Sequence, residues 1–438
     1  MLNNYELNKM KILFYKKIQN IFFKVIFIIT ITILSVQNFV YAKDKRSVTE
    51  PIVPKICKVL IANDQNRTTD IQEAISYCAQ KHQIVSLISS NKGNNNFFSG
   101  PIIIPSYGGL YIDKKVILSA INDPDLYDKG NKTCGLLDNL GNGCKPFIIL
   151  NGENSGLYGF GYIDGQGGIL LKNKKYTWWQ LATNAKLHKK KQNIPHLIDI
   201  NSGYNITIYK LNLINSPNFH IVSHKTNGLT IWGININTPN DARNTDGIDP
   251  SSSQNITITH TNISTGDDNI AIKSGGNEGI SSKNITIINN NFSYGHGMSI
   301  GSETINGVND ILIKNLSLIN TTNGIRIKSN IIKGGLVTDI NYENICMINV
   351  KNPIVLRTNY VNIINNNNKG PQFKNIFFKN IKILTPGTLT FDGLDEKNII
   401  EVFFNDFHIK EGSLWIKNNV IIHGNIDNII NEKNCQLY

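Results

Sequence analysis

The chain has 438 residues, 40% of them hydrophobic and 17% charged, with a formal charge of +12. This length does not force several domains, because an elongated solenoid adds coils without enlarging a spherical core. The basic balance suits an acidic polymer as partner, but no recognised nucleic-acid-binding module accompanies it, and charge alone excludes no enzyme class.

Lys9, Lys11, Lys16, Lys17 and Lys24 precede an apolar run from Val25 to Val36 that is too short to span a bilayer. With Val40 and Ala42 as small residues before Lys43, residues 1–42 are predicted to be a signal peptide cleaved after Ala42. An uncleaved N-terminal anchor is the alternative. Cleavage would remove five lysines and one glutamate, lower the charge to +8, and leave residues 43–438 as one secreted domain with no membrane attachment.

The stretch Thr69 to Lys81 places Ile71, Ala74, Ile75 and Cys78 on one helical face, as expected of a short helix capping an apolar end. Segments 87–99 and 360–372 are polar and irregular and are expected to be surface loops. After residue 90 helical periodicity is almost absent. The six cysteines show no metal-ligand spacing, and in an exported protein their even number suits disulfides. Their connectivity is not fixed by spacing. The expected pairs are Cys57 with Cys78 across the cap and Cys134 with Cys144 across a Gly-rich loop.

From about residue 200 a short phrase recurs: Asn205-Ile-Thr-Ile, Gly228-Leu-Thr-Ile, Asn255-Ile-Thr-Ile, Asn284-Ile-Thr-Ile, Asp310-Ile-Leu-Ile, Asp339-Ile-Asn-Tyr and Asn375-Ile-Phe-Phe. Each is a period-two strand, and the spacing is that of one coil of a parallel β-helix, whose turns stack about 4.8 Å apart. Ile206, Ile208, Leu211 and Leu213 are expected to point into a tubular core, and the leading Asn residues to stack as a hydrogen-bonded ladder. An antiparallel sandwich would need hairpin signals that are not the dominant pattern. The predicted fold is all-β: a right-handed, single-stranded parallel β-helix with a short N-terminal capping helix.

Four polar clusters interrupt the repeat: Asn244-Thr-Asp246, Gly266-Asp-Asp268, Gly295-His-Gly297 and Arg326-Ile-Lys328. Asp246 lies 22 residues before Asp268, His296 28 beyond it, and Arg326 another 30, so stacked coils are expected to gather them in one column. Crowded carboxylates raise the pKa of at least one member, which keeps an acid protonated beside ionised neighbours. Glycosidic cleavage needs that pair of roles. Arg326 and Lys328 offer cations to a sugar carboxylate, Arg in bidentate fashion.

Together these clusters resemble the signature of the polygalacturonases, glycoside hydrolase family 28, and most of all its bacterial endo-acting members. The resemblance extends through Ser99-Gly-Pro-Ile102, Ile163-Asp-Gly-Gln-Gly167, Trp178-Trp179, Pro195-His-Leu197, Ser216-Pro-Asn-Phe-His220, Asn244 to Asp249, Met298 to Glu303 and Asn352-Pro-Ile354. It implies inverting hydrolysis of the α-1,4 bonds of polygalacturonate, the acidic backbone of pectin, by a monomer that needs no cofactor or metal. It further implies that Asp267 is the general acid, that Asp246 and Asp268 hold and deprotonate the attacking water, and that His296 supports the acid. Arg326 and Lys328 would bind the galacturonate carboxylate, Tyr360 would pack on the sugar, and Asn244 with Gln254 would assist. Two positions depart from the family pattern: Ile194 stands where Arg is frequent, and Arg357 where an acidic residue is frequent, which bears on the outer subsites.

One geometric expectation conflicts with the resemblance. Carboxylates one rung apart stand at the short separation associated with retention, not inversion. Two rivals share the fold: a Ca²⁺-dependent pectate lyase, whose products would be unsaturated, and a non-catalytic binder of acidic polysaccharide.

Overall fold

The computed structural model describes residues 48–277, 279–360, 370–428 and 434–438. The expected leader, residues 1–42, lies outside them, and so does most of the loop expected over 360–372. Among the described residues no helix is long and apolar enough to cross a membrane.

Thirty strands join in one sheet whose described pairings are parallel, each strand bonded to its counterpart one coil earlier and one coil later. This is the β-helix expected from the repeat. Inside it aliphatic side chains stack in columns. On the face that matters here the column runs Ile198, Ile221, Ile248, Ile270, Met298, Ile325, Ile354, Leu389, each in register with the next and fully buried. Ile206, Ile208, Leu211 and Leu213 are buried in the same core.

The residue opening each repeated phrase has a specific backbone duty. Asn205, Gly228, Asn255, Asn284, Asp310, Asp339 and Asn375 all adopt positive φ, between 51° and 86°. Gly, Asn and Asp bear this left-handed conformation at least cost, so the chain can bend there between two faces without a clash at Cβ. A second set, Asn289, Asn315, Asn344 and Asn380, turns the next corner in the same way. Their amides form a ladder, each Nδ2 donating to the Oδ1 of the coil before at 2.8, 2.9 and 3.0 Å.

Helix α1, Thr68–Ala79, buries Ile71, Ala74, Ile75 and Cys78 against the first coils, as expected of the cap. Cys57 pairs with Cys78 and Cys134 with Cys144, as expected. A third disulfide, Cys346 to Cys435, ties the C-terminal tail to the solenoid.

Two expectations need correction. Within 87–99, Asn96–Ser99 is a strand paired with Ile117–Ala120, because Phe97 and Ser99 alternate into the core. Helix α2, Trp178–Leu187, interrupts the solenoid where no helix was expected. Trp178, Leu181, Ala182 and Ala185 form its buried stripe at helical spacing, and Thr177 and Gln180 close a reciprocal cap at its start.

Candidate active site

Six strands of the face traced above build the site: β1 (Ile221–His224), β2 (Ile248–Ser251), β3 (Ile270–Ile272), β4 (Met298–Ile300), β5 (Asn323–Lys328) and β6 (Asn352–Arg357). Asp246, Asp268 and His296 each stand two residues before the inward residue of β2, β3 and β4, so successive coils stack them. Arg326 does not join that column. It is in register with Ser299 and Ala271, and Lys328 follows Ile327 as Lys273 follows Ile272. The expected single column is therefore three adjacent ones, because alternation along a strand separates outward side chains by two residues.

The turns into these strands are held by buried polar groups. Thr245 donates to the Ala242 carbonyl at 2.7 Å and accepts from the Gly266 amide at 3.0 Å. A side chain at Gly266 would meet the Ala242 carbonyl at 2.0 Å, so this close approach requires glycine. Asn269 accepts from the Gly297 amide at 2.8 Å and fixes the turn that carries His296. His220 lies in the core, where burial lowers its pKa to about 4. Its Nδ1 lies 3.0 Å from the Asp246 carbonyl, which can only accept, so Nδ1 carries the proton, and Nε2 accepts from the Thr238 hydroxyl at 2.7 Å.

The three aspartates differ sharply in surroundings. Asp267 is the most open, with a side chain 22% exposed, and its Oδ1 lies 2.9 Å from His296 Nδ1. Asp268 is buried. Its Oδ1 accepts from Ser299 at 2.9 Å and from Arg326, and its Oδ2 accepts from Lys328 at 3.0 Å. Burial alone would raise this carboxyl, but Arg326 and Lys328 bring it down to about 2. Asp246 is also buried, with Oδ1 lacking any hydrogen-bond partner. Burial and then the Asp249 charge push its pKa well above the usual range, with Lys273 opposing and Asp267 and Asp268 adding to the rise. Side-chain atoms of Asp267, Asp268 and His296 all lie within 4.8 Å of one another.

Lys328 and Arg326, expected to face a substrate carboxylate, are thus both engaged with Asp268 in the free protein. Tyr360 lies beside them, its ring centre 5.5 Å from Lys328 Nζ and its side chain well exposed. Asn244 borders the cluster at positive φ, its Oδ1 3.5 Å from Gln192 Nε2. Gln254 belongs to the neighbouring face, where it approaches the Ser281 carbonyl.

Sequence reasoning missed three side chains of this site. Asp249 is paired with Lys273, whose Nζ also stands 3.7 Å from Asp246, and Ser299 bridges Asp268 and Arg326. Burial would lower Lys273, but Asp249 and then Asp246 hold it protonated, far above its ordinary range. Its signal was present: Ile270-Ala-Ile-Lys273 repeats the pattern of Ile325-Arg-Ile-Lys328 two coils away.

Residues 102–429 match the family described as glycosyl hydrolases family 28. An endo-polygalacturonase of Pectobacterium carotovorum subsp. carotovorum is 45% identical over 383 residues, covering 87% of this chain and 94% of the relative. The solved polygalacturonase from Erwinia carotovora ssp. carotovora superimposes with a TM-score of 0.84 at 43% identity, over 87% of this chain and all of the other. An exopolygalacturonase from Thermotoga maritima shares the fold at 20% identity, with a TM-score of 0.68, over 87% of this chain and 93% of its own. The matched span holds the whole acidic cluster and both cations beside it, and on that ground this chain belongs to glycosyl hydrolase family 28.

Proposed function

We propose that this protein is a secreted endo-polygalacturonase that hydrolyses the α-1,4 bonds of polygalacturonate by single displacement with inversion, as a monomer. The observation that carries this reading is the cluster itself: three carboxyl groups on adjoining coils, with Asp268 held low and Asp246 pushed high by their surroundings, beside two buried cations. The relatives named above support the substrate, and three disulfides fit an oxidising compartment. Residues 1–42 are proposed as the export signal.

In this reading Asp267, the most open of the three, protonates the leaving glycosidic oxygen, with His296 orienting it. Asp246 and Asp268 hold the attacking water. Asp268 is ionised at any working pH, whereas Asp246 is the stronger base once its proton has gone, so Asp246 takes the proton of water. The active form therefore carries a proton on Asp267 and none on Asp246. Arg326 and Lys328 attract the carboxylate of the sugar at the cleaved bond, Tyr360 packs against its ring, and Asn244 lines the water-binding side.

The short separation of Asp267 and Asp268 would suit a covalent intermediate, but the engagement of Asp268 argues against it. Both of its oxygens already accept hydrogen bonds from Ser299, Arg326 and Lys328, and a carboxylate so held is a poor nucleophile. Digestion of polygalacturonate tests the reading. New reducing ends without ultraviolet-absorbing unsaturated products are expected, and a ladder of oligomers marks endo action. Unsaturated products would mean a lyase, and no products a non-catalytic binder.

A further inference from the structure

The column that carries Lys328 does not end there. Lys328 in β5 is in register with Arg357 at the end of β6, and Arg357 with Asp392 one coil on. A rung advances about 4.8 Å, comparable with the advance of one sugar in an extended polysaccharide. A chain lying along this face would therefore present its next residue near Arg357.

What the three cations bind sets them apart. Arg326 and Lys328 are buried and both engage Asp268. The Arg357 side chain is 42% exposed, and its Nε stands 3.8 Å from Asp392 Oδ2, beyond hydrogen-bond reach. Nε itself is shut off from solvent and has no hydrogen-bond partner, so the exposed part of the side chain lies beyond it. Asp392 itself accepts from Asn418 at 3.1 Å, so it steadies the guanidinium without saturating it. A guanidinium whose outer nitrogens remain for a ligand, on a rung adjoining the cations proposed to bind a carboxylate, is suited to a second carboxylate met end-on by those two nitrogens.

We propose that Arg357 binds the carboxylate of the sugar next to the one over Arg326 and Lys328, and so makes the protein selective for consecutive unesterified galacturonates. This inference rests on the function proposed above and specifies it. A methyl ester at that sugar removes the negative charge and leaves Arg357 facing a neutral group. Selectivity then arises from binding, not from the chemical step.

The test is steady-state kinetics of Arg357→Gln and Arg357→Lys on polygalacturonate and on the same polymer half methyl-esterified at random, with thermal unfolding to verify the fold. On polygalacturonate Arg357→Gln is expected to raise KM about tenfold, the scale of one charge-assisted hydrogen-bonded contact, while kcat changes little. Arg357→Lys should recover part of the loss, and the penalty should shrink on the esterified polymer. An unchanged KM, or an equal rise on both polymers, overturns the assignment while leaving the hydrolase reading intact. A wild-type protein that releases no reducing ends from either polymer overturns both.

Discussion

Asp246 and Asp268 have the same side chain and sit one coil apart, yet their surroundings drive them in opposite directions. Asp268 has two cations and a hydroxyl; Asp246 has a buried carboxylate neighbour and an oxygen without a partner. For Asp268, with a folded pKa of about 2 against an ordinary 3.8, the stabilisation is complete above the unfolded value and is lost as pH falls toward 2. For Asp246 the sign reverses: its contribution is complete below 3.8 and is lost as pH rises through the elevated folded value. Asp246→Asn is therefore expected to match or exceed the wild-type melting temperature at pH 7 and to lose that advantage near pH 4, while turnover collapses. Melting curves across pH test this, and a variant less stable at pH 7 than at pH 4, relative to wild type, would contradict it. Asp267→Asn should instead cut kcat by about a thousandfold with little change in KM, as removal of a general acid does; near-normal turnover would remove Asp267 from that role.

Within each coil the decisive feature is the corner. The leading Asn of each phrase was legible in the sequence as a repeat, and the strand after it as alternation, because both are local and periodic. Its left-handed backbone was not read, although it explains why Asn, Asp and Gly alternate at the same place. Asn344 holds both functions, at φ 54° with amide bonds to Asn315 and Asn380. Asn344→Ala is expected to cost about 2 kcal/mol, from the backbone penalty and the lost hydrogen bonds, and Asn344→Gly distinctly less. Urea unfolding of both variants measures the split; equal losses would mean that the ladder, not the turn, dominates. Helix α2 was missed for another reason: ten residues with one apolar stripe are easily lost inside a long strand repeat, although Trp178, Leu181, Ala182 and Ala185 carry the helical signal.

At the scale of the whole molecule, the solenoid turns sequence distance into adjacency. Residues separated by one coil's length become neighbours, which is why Asp246, Asp268 and His296 could be anticipated together from their spacing alone. Which outward column each joins depends on strand register, and a shift of one residue reverses the face. For that reason Arg326 and Lys328 were expected in the aspartate column, and the Asp249–Lys273 pair beneath it went unread. The stacked site leads to one central claim: a water held by Asp246 and Asp268 attacks the anomeric carbon directly, while Asp267 protonates the departing oxygen. Proton magnetic resonance during early digestion of polygalacturonate tests it most directly. Because the substrate bond is α, direct attack is expected to release β-anomeric reducing ends first, with α appearing only by later mutarotation; α-anomers at the outset would contradict it.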